Sequence, residues 1–186
     1  GYSALGSQNP ASNADMNNTA VGYNAGGGIT TGIKNTLIGS VAGDAITTAD
    51  NNVAVGMSAL GATTTGSENT AVGQGSLQTN TTASDNTGIG YSALNQNTTG
   101  ASNVAVGSLA LDANTTASAN TAIGVSALTS NTTGGSNTAV GTHALDANTT
   151  ASDNVAVGRN ALLANTTGAS NVAVGKDSST INSTLS

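Results

Sequence analysis

Asn103-Val104-Ala105-Val106-Gly107 and, 17 residues further on, Asn120-Thr121-Ala122-Ile123-Gly124 are two copies of one phrase. Read outward in both directions, its leading Asn recurs without insertion at Asn18, Asn35, Asn52, Asn69, Asn86, Asn103, Asn120, Asn137, Asn154 and Asn171. Gly stands four residues after each, including Gly73, Gly90, Gly107 and Gly124. The full unit reads Asn-(Thr/Val)-Ala-(Val/Ile)-Gly-x-x-Ala-Leu-x-x-Asn-Thr-Thr-(Gly/Ala)-x-x. Its apolar runs are too short for a helix of about 10 residues, and each unit carries a Gly and a Thr-rich stretch that oppose helix. Two short apolar runs separated by Gly, Asn and Thr instead predict two strands and two turns per unit. A fixed short period predicts stacking. The fold class is therefore all-β, a parallel β-solenoid (β-roll) in which each 17-residue unit is one coil, about 4.8 Å from the next. Ten such coils make a rod on the order of 50 Å long.

Stacking places like residues in columns, and chemistry assigns each column a role. The branched aliphatic column containing Val72, Ile89, Val106 and Ile123 is expected to line a continuous core, with Leu77, Leu94, Leu111 and Leu128 forming a second core column. Gly26 and Gly43 replace Leu in the first two units, where the position three residues later changes to Ile29 and Ile46. That paired change predicts that the Ile side chains fill the space left by Leu. Gly after Ala-Val calls for positive φ or close backbone approach. The column of Asn69, Asn86, Asn103 and Asn120 is expected to bond backbone and neighbouring Asn along the rod. A second period of 34 residues is superimposed: Gly32, Ala49, Gly66, Ala83, Gly100, Ala117, Gly134, Ala151 and Gly168 alternate strictly after Thr-Thr. The sequence supplies no firm physical account of it; one way it could arise is that alternate coils turn this corner with different backbone angles, Gly taking positive φ where Ala does not readily.

Composition agrees with a stack rather than a globular core. The chain has 186 residues, with no Phe, Trp or Cys and three Tyr; 37 % of it is hydrophobic, mostly Ala and Val, and 6 % charged. Net charge is −6, and no Lys or Arg lies between Lys34 and Arg159, so the basic stripe that nucleic-acid binding requires is missing. No run nears the roughly 20 apolar residues of a membrane span, so this segment is not expected to insert into a membrane. The opening Gly1-Tyr2-Ser3-Ala4-Leu5 repeats as Gly90-Tyr91-Ser92-Ala93-Leu94, as if the array began in mid-motif and belonged to a longer chain. Residues 1–17 are read as an irregular N-terminal coil, 18–175 as the ten-coil solenoid, and 176–186 as a tail or a junction to a further domain. In Val104-Ala105-Val106 both strand faces are apolar, whereas a half-exposed strand alternates with polar residues. One face packs inside its own coil. The other calls for a neighbouring chain, so the protein is expected to be its own partner.

The phrase Asn154-Val155-Ala156-Val157-Gly158 followed by x-x-Ala resembles the head repeats of trimeric autotransporter adhesins, the YadA-like β-roll. The longer form, Ala93 to Gly100 and Ala161 to Gly168, is similar to repeats of bacteriophage tail fibres that end in a self-cleaving chaperone. The resemblance spans residues 18–175. It implies a left-handed homotrimer on a cell surface or a virion fibre, extracellular, attaching to a host glycan or protein. The coil departs from the adhesin heads, whose repeats are near 14 residues, and no stalk, anchor or chaperone accompanies it.

A ligand surface is expected where a regular rod varies most, in the column after the Gly: Tyr23, Tyr91, Arg159 and Lys176 are its candidates, weighed against simple drift on an exposed turn. No nucleophile, acid-base pair or metal cluster recurs, so no catalytic, metal or cofactor residues are assigned and no enzyme is expected. His143 stands where other units have Ser. Asp85, Asp112, Asp146 and Asp153 lack the ligand spacing of a calcium loop. Asn80, Asn97, Asn114, Asn131, Asn148 and Asn165 each open an Asn-x-Thr glycosylation sequon that a tight-turn role explains equally well. The Thr-Thr columns raise ice binding, although adjacency sends only one Thr column to any single face. The expected function is a structural and adhesive fibre segment, with a passive spacer or an ice-binding rod as alternatives.

Overall fold

The computed structural model describes residues 1–9 and 15–178; the 10–14 and 179–186 parts of the predicted N-terminal coil and tail lie outside the described residues. Ten three-residue strands, β1 (Thr19–Val21), β2 (Thr36–Ile38), β3 (Val53–Val55), β4 (Thr70–Val72), β5 (Thr87–Ile89), β6 (Val104–Val106), β7 (Thr121–Ile123), β8 (Thr138–Val140), β9 (Val155–Val157) and β10 (Val172–Val174), form one parallel sheet in sequence order. Every pairing sets a residue opposite the one 17 positions later, as in Ala105 against Ala122. Each unit is thus one coil of a parallel β-solenoid, and no helix occurs among the described residues. Residues 1–9 add a rung at the N-terminal end. There Leu5 N–H donates to the Ala25 carbonyl at 3.0 Å and Asn24 N–H to the Tyr2 carbonyl at 2.8 Å, so Tyr2 sits on Tyr23, an offset of 21 rather than 17.

The coil has one strand, not the two expected. In Ser92-Ala93-Leu94 the residues flanking the buried Ala have φ of 51° and 54°, in the left-handed region, which no strand uses. The segment stacks through Ser92 N–H to the Gln74 carbonyl below (3.0 Å) and Leu94 N–H to the Ala110 carbonyl above (3.0 Å). Left-handed backbone costs a non-Gly residue about 1–2 kcal/mol. Full burial of a Leu side chain returns about 1.5–3 kcal/mol, which is why Leu stands there at all. The same column explains the early exceptions. Gly26 and Gly43 hold φ of 60° and 55° without strain. A Cβ on Gly43 would meet Ile46 Cδ1 and Leu37 Cδ2, both at 2.8 Å. Ile29, Ile46 and Leu37 are fully buried, so the predicted compensation holds and gains a third member, Leu37 in place of Ala in β2.

The expectation for the Val/Ile column is overturned. Side chains alternate along a strand, and the middle residue is the one that points inward: Ala54, Ala71, Ala105 and Ala122 are fully buried. Val72, Ile89, Val106 and Ile123 therefore point outward, with Ile38, Ile89 and Ile123 at 40 %, 40 % and 41 % exposure. The physical reason is room. A 17-residue coil is so narrow that the stacked Ala of the strand and the stacked Leu opposite already fill it, and a branched residue at the inward position would have nowhere to go.

Asn fills the remaining interior in two columns. In the first, Asn120 N–H donates to Asn103 Oδ1 (3.0 Å), Asn103 Nδ2 to Asn86 Oδ1 (3.2 Å), and Asn103 Nδ2 to the Ala117 carbonyl (2.9 Å). In the second, Asn114 Nδ2 donates to Asn97 Oδ1 at 2.8 Å and to the Ala117 carbonyl at 3.0 Å. The direction of this ladder shows at its C-terminal end, where the Asn165 Oδ1 acceptor has no partner among the described residues.

The 34-residue alternation arises from close approach, not from positive φ: none of Gly32, Gly66, Gly100 and Gly134 has it. A Cβ on Gly100 would lie 2.1 Å from the Ala117 carbonyl oxygen and 2.6 Å from Asn97 Oδ1; on Gly134, 2.1 Å from the Ala151 carbonyl oxygen. The following N–H is taken up by a hydroxyl from the Ala-bearing coil, Ala101 N–H to Ser118 Oγ and Gly135 N–H to Ser152 Oγ, each at 3.0 Å. Two unlike corners thus fit together as one unit.

A local swap within the core offers a clean test. Gly88 replaces Ala in β5, and Ser76, fully buried, replaces Ala in the column before Leu; Ser76 Oγ donates to the Gly88 carbonyl at 2.8 Å. A Cβ on Gly88 would lie 2.5 Å from Ser76 Oγ. Gly88→Ala alone is expected to destabilise by about 1–3 kcal/mol through overpacking. Ser76→Ala with Gly88→Ala restores the arrangement of the other coils and is expected to match or exceed the parent, since Gly→Ala at a compatible site stabilises by about 0.4–1 kcal/mol. Urea melts of the single and double variants measure this coupling; additive losses would refute it.

Candidate functional site

The predicted ligand column lies just past the Gly corner of the strand, on the rod surface. Its members do not converge. Tyr23 follows β1 and Tyr91 follows β5, four rungs or about 19 Å away. Arg159 and Lys176 follow β9 and β10 at the far end, both exposed. Tyr23 is 59 % exposed and its ring stacks on Tyr2, centroids 5.9 Å apart and 8° from parallel, so it serves the fold of the first rungs. Lys176 Nζ lies 3.5 Å from Asp177 Oδ2.

Tyr91 is placed differently. It is 55 % exposed and borders a notch of about 200 Å³ together with Met57, Gln74, Gln78 and Ser92. The floor is Gly75. In this column, two residues after the Gly corner, the other coils carry side chains such as Ser58, Ser92, Leu109, Ser126 and His143, all with φ of 51–59°. Gly75, at φ 67°, omits the side chain and opens the gap. Asn95 Nδ2 crosses its edge, donating to the Gly75 carbonyl at 2.9 Å and to Gln78 Oε1 at 3.2 Å. Sequence reasoning found the variable column of Tyr91, to which Met57 and Gln74 also belong, but missed Gly75 and Gln78. The signal was there in a single Gly among side-chain-bearing residues of one column, lying between Gln74 and Gln78 of its own coil.

Titratable groups are few. His143 Nδ1 lies 3.2 Å from Asp146 Oδ2, a local pair on the surface. Burial raises the Asp112 carboxyl above its ordinary range, and likewise that of Asp44, where hydrogen bonds from its own backbone and from Asn24 pull the other way. Asp177 is held below the ordinary range by the Asn160 amide and then by Lys176. For a carboxyl raised by folding, the folded state binds the proton more tightly, so stability increases as pH falls through the folded pKa and that gain is complete at the unfolded value near 3.8. The loss from Asp177 falls mostly lower, as pH drops through 3.8 and then through its lowered folded value. The melting temperature is therefore expected to rise slightly between pH 7 and pH 4.5, and Asp112→Asn is expected to raise it at pH 7 and shrink that gain. A fall over the same interval would contradict this.

The remaining candidates resolve on geometry. Among the described residues, no three His, Asp or Glu side chains come together as a metal-ligand set. The sequon residues Asn80, Asn97, Asn114, Asn131 and Asn148 are fully buried and their Nδ2 groups are engaged in the inner ladder, so the folded coil cannot carry a glycan on them. In the Thr pair, the first hydroxyl is used within the stack, Thr98 Oγ1 donating to the Thr115 carbonyl at 2.9 Å; the second column, Thr82, Thr99 and Thr116 among them, is exposed. No helix of the described residues is long and apolar enough to cross a membrane. The chain matches no family model, no curated protein and no solved structure.

Proposed function

We propose that the chain is a segment of an extracellular fibre, a left-handed homotrimeric rod of the kind seen in phage tail fibres and bacterial surface adhesins, that holds an attachment surface away from its base. The observation that carries this reading is the outward face of the sheet. Two uncharged columns of it, Thr at six rungs and Val at four in the first strand position and Val or Ile throughout the third, run the length of the stack and are half-exposed or exposed. In a single chain this face is bare. Exposed apolar faces of such extent on a soluble protein mark association. Three rods that press these faces together about one axis cover them completely, and the absence of charged side chains from both columns leaves nothing to repel a neighbour. The Gly corner separates this face from the column of Tyr91, which stays outside the bundle. Among the described residues the interior polar side chains are chiefly Asn amides bonded to each other and to backbone, with the Ser76 and Thr63 hydroxyls bonded to carbonyls, which supports a structural role.

Light scattering on the purified chain tests the assembly. The expected mass is three times the 17.6 kDa of one chain. Val106→Lys with Ile123→Lys, which alters only outward positions, is expected to yield monomers that keep β-structure. A parent that runs as a monomer at micromolar concentration would sink the proposal. Binding of labelled rods to host cells separates an adhesive segment from a passive spacer, the competing reading.

A further inference from the structure

We propose that the notch over Gly75 is a subsite for one neutral pyranose ring, with Tyr91 as its aromatic platform. This rests on the reading of the rod as an attachment surface and supplies the ligand class. Three observations carry it. First, the notch is shaped by omission: Gly75 lacks the side chain present in the neighbouring coils, and Met57, Gln74, Gln78 and Tyr91 stand around the gap. At about 200 Å³ it falls below the roughly 300–1,000 Å³ of sites for larger ligands, which suits a single ring.

Second, the chemistry of the wall is that of a hydroxyl-rich, uncharged ligand. Gln74 and Gln78 offer amide donors and acceptors, Ser58 and Ser92 offer hydroxyls, and Tyr91 and Met57 offer apolar surface for the C–H face of the ring. Gln78 is fixed through its Oε1 by Asn95 Nδ2, which leaves its own amide N–H groups for a ligand. Among the described residues, the side chains of Gln74, Ser58, Ser92 and the Tyr91 hydroxyl have no hydrogen-bond partner. Third, no cation borders the notch, and between Lys34 and Arg159 the chain has none. An acidic sugar would arrive at a protein of net charge −6 with no counter-charge to meet it.

Saturation-transfer NMR on the full chain tests the subsite with glucose, galactose and N-acetylglucosamine as probes and N-acetylneuraminic acid as the acidic control. At least one neutral sugar is expected to bind with a dissociation constant on the order of 1 mM. Tyr91→Ala and Gly75→Leu are each expected to weaken it about tenfold or more, the first with unchanged melting temperature and the second with a modest fall from its left-handed backbone, and Tyr23→Ala to leave it unaltered. Leu is already accommodated in this column at Leu109 with φ 59°, so Gly75→Leu fills the notch without asking for new backbone, and Tyr91→Ala removes only an exposed ring. The absence of saturation transfer to all three neutral sugars, transfer undiminished in Gly75→Leu, or transfer to the acidic sugar alone would overturn the proposal. Oligomer mass is measured on the same samples. Trimers that bind no sugar defeat the subsite and spare the fibre; monomers that bind it do the reverse.

Discussion

Gly107→Ala is expected to destabilise the rod by about 4 kcal/mol or more, while the same change at Gly175 costs about 1–3 kcal/mol. Both residues hold a backbone conformation that belongs to Gly, φ 138° and 126°, and forcing Ala into it costs about 1–3 kcal/mol in either place. What differs is the coil above. A Cβ on Gly107 would lie 2.4 Å from the Gly124 carbonyl oxygen and 2.6 Å from its carbon, whereas among the described residues a Cβ on Gly175 would meet only Ser178 Cβ at 3.8 Å. The backbone over Gly107 cannot withdraw freely, because Gly124 N–H donates to the Val106 carbonyl and Gly107 N–H to that of Ile89, both at 2.8 Å. Against a total stability of about 5–15 kcal/mol for a domain, a loss of that size in mid-rod is a large fraction. In a solenoid each coil is supported only by its neighbours, so the break should divide the melt into two transitions. Urea unfolding followed by circular dichroism reads both effects. Equal losses at Gly107 and Gly175 would show that φ alone, and not coil spacing, demands Gly.

The contrast between these two glycines also bears on what the sequence could and could not reveal. A uniform 17-residue period fixes the register, because a parallel stack puts identical residues opposite each other and any slip would set Asn against apolar side chains. The Asn and Leu columns were legible for that reason, and so was the filling of Gly26 and Gly43 by Ile29 and Ile46. Which face of a three-residue strand points inward was not. In Val104-Ala105-Val106 the branched residues hold the larger apolar surface, and hydrophobicity alone sends them to the core. Only the cross-section of the coil, narrow enough that Ala and Leu fill it, reverses the choice. The second apolar patch reads as a strand in sequence because Leu is a poor candidate for left-handed backbone; burial outweighs that local preference. In the notch, Tyr91 was legible as an outlier in a variable column. Gly75 breaks its own column just as visibly, but what its missing side chain opens depends on neighbours one coil above and below.

The inner Asn column makes the second large effect. Asn103→Ala is expected to cost about 3 kcal/mol, and Asn103→Asp about 3–5 kcal/mol at pH 7, with part of the latter recovered at pH 4. Ala removes the acceptor of the Asn120 N–H, which lies buried inside the stack; an orphaned buried donor costs about 1–3 kcal/mol, and the vacated volume adds to this. The other two partners suffer less. Asn86 Oδ1 keeps the Asn103 backbone N–H at 3.0 Å, and the Ala117 carbonyl keeps Asn114 Nδ2 at 3.0 Å. Asp restores the acceptor but turns two donated bonds into oxygen facing oxygen, at the positions now 3.2 Å and 2.9 Å from Asn86 Oδ1 and the Ala117 carbonyl. It also buries a charge with no counter-ion, for which about 3–5 kcal/mol is the usual penalty. Burial favours the neutral acid, so its folded pKa lies above the unfolded one, and stability returns as pH falls through it. A protonated carboxyl donates one of the lost bonds again. Melting temperatures of the two variants at pH 7 and pH 4 decide the matter: if Asn103→Asp were no worse than Asn103→Ala at pH 7, the column would be acting through its acceptors alone, and the donated amide bonds along the rod would contribute nothing to holding one coil on the next.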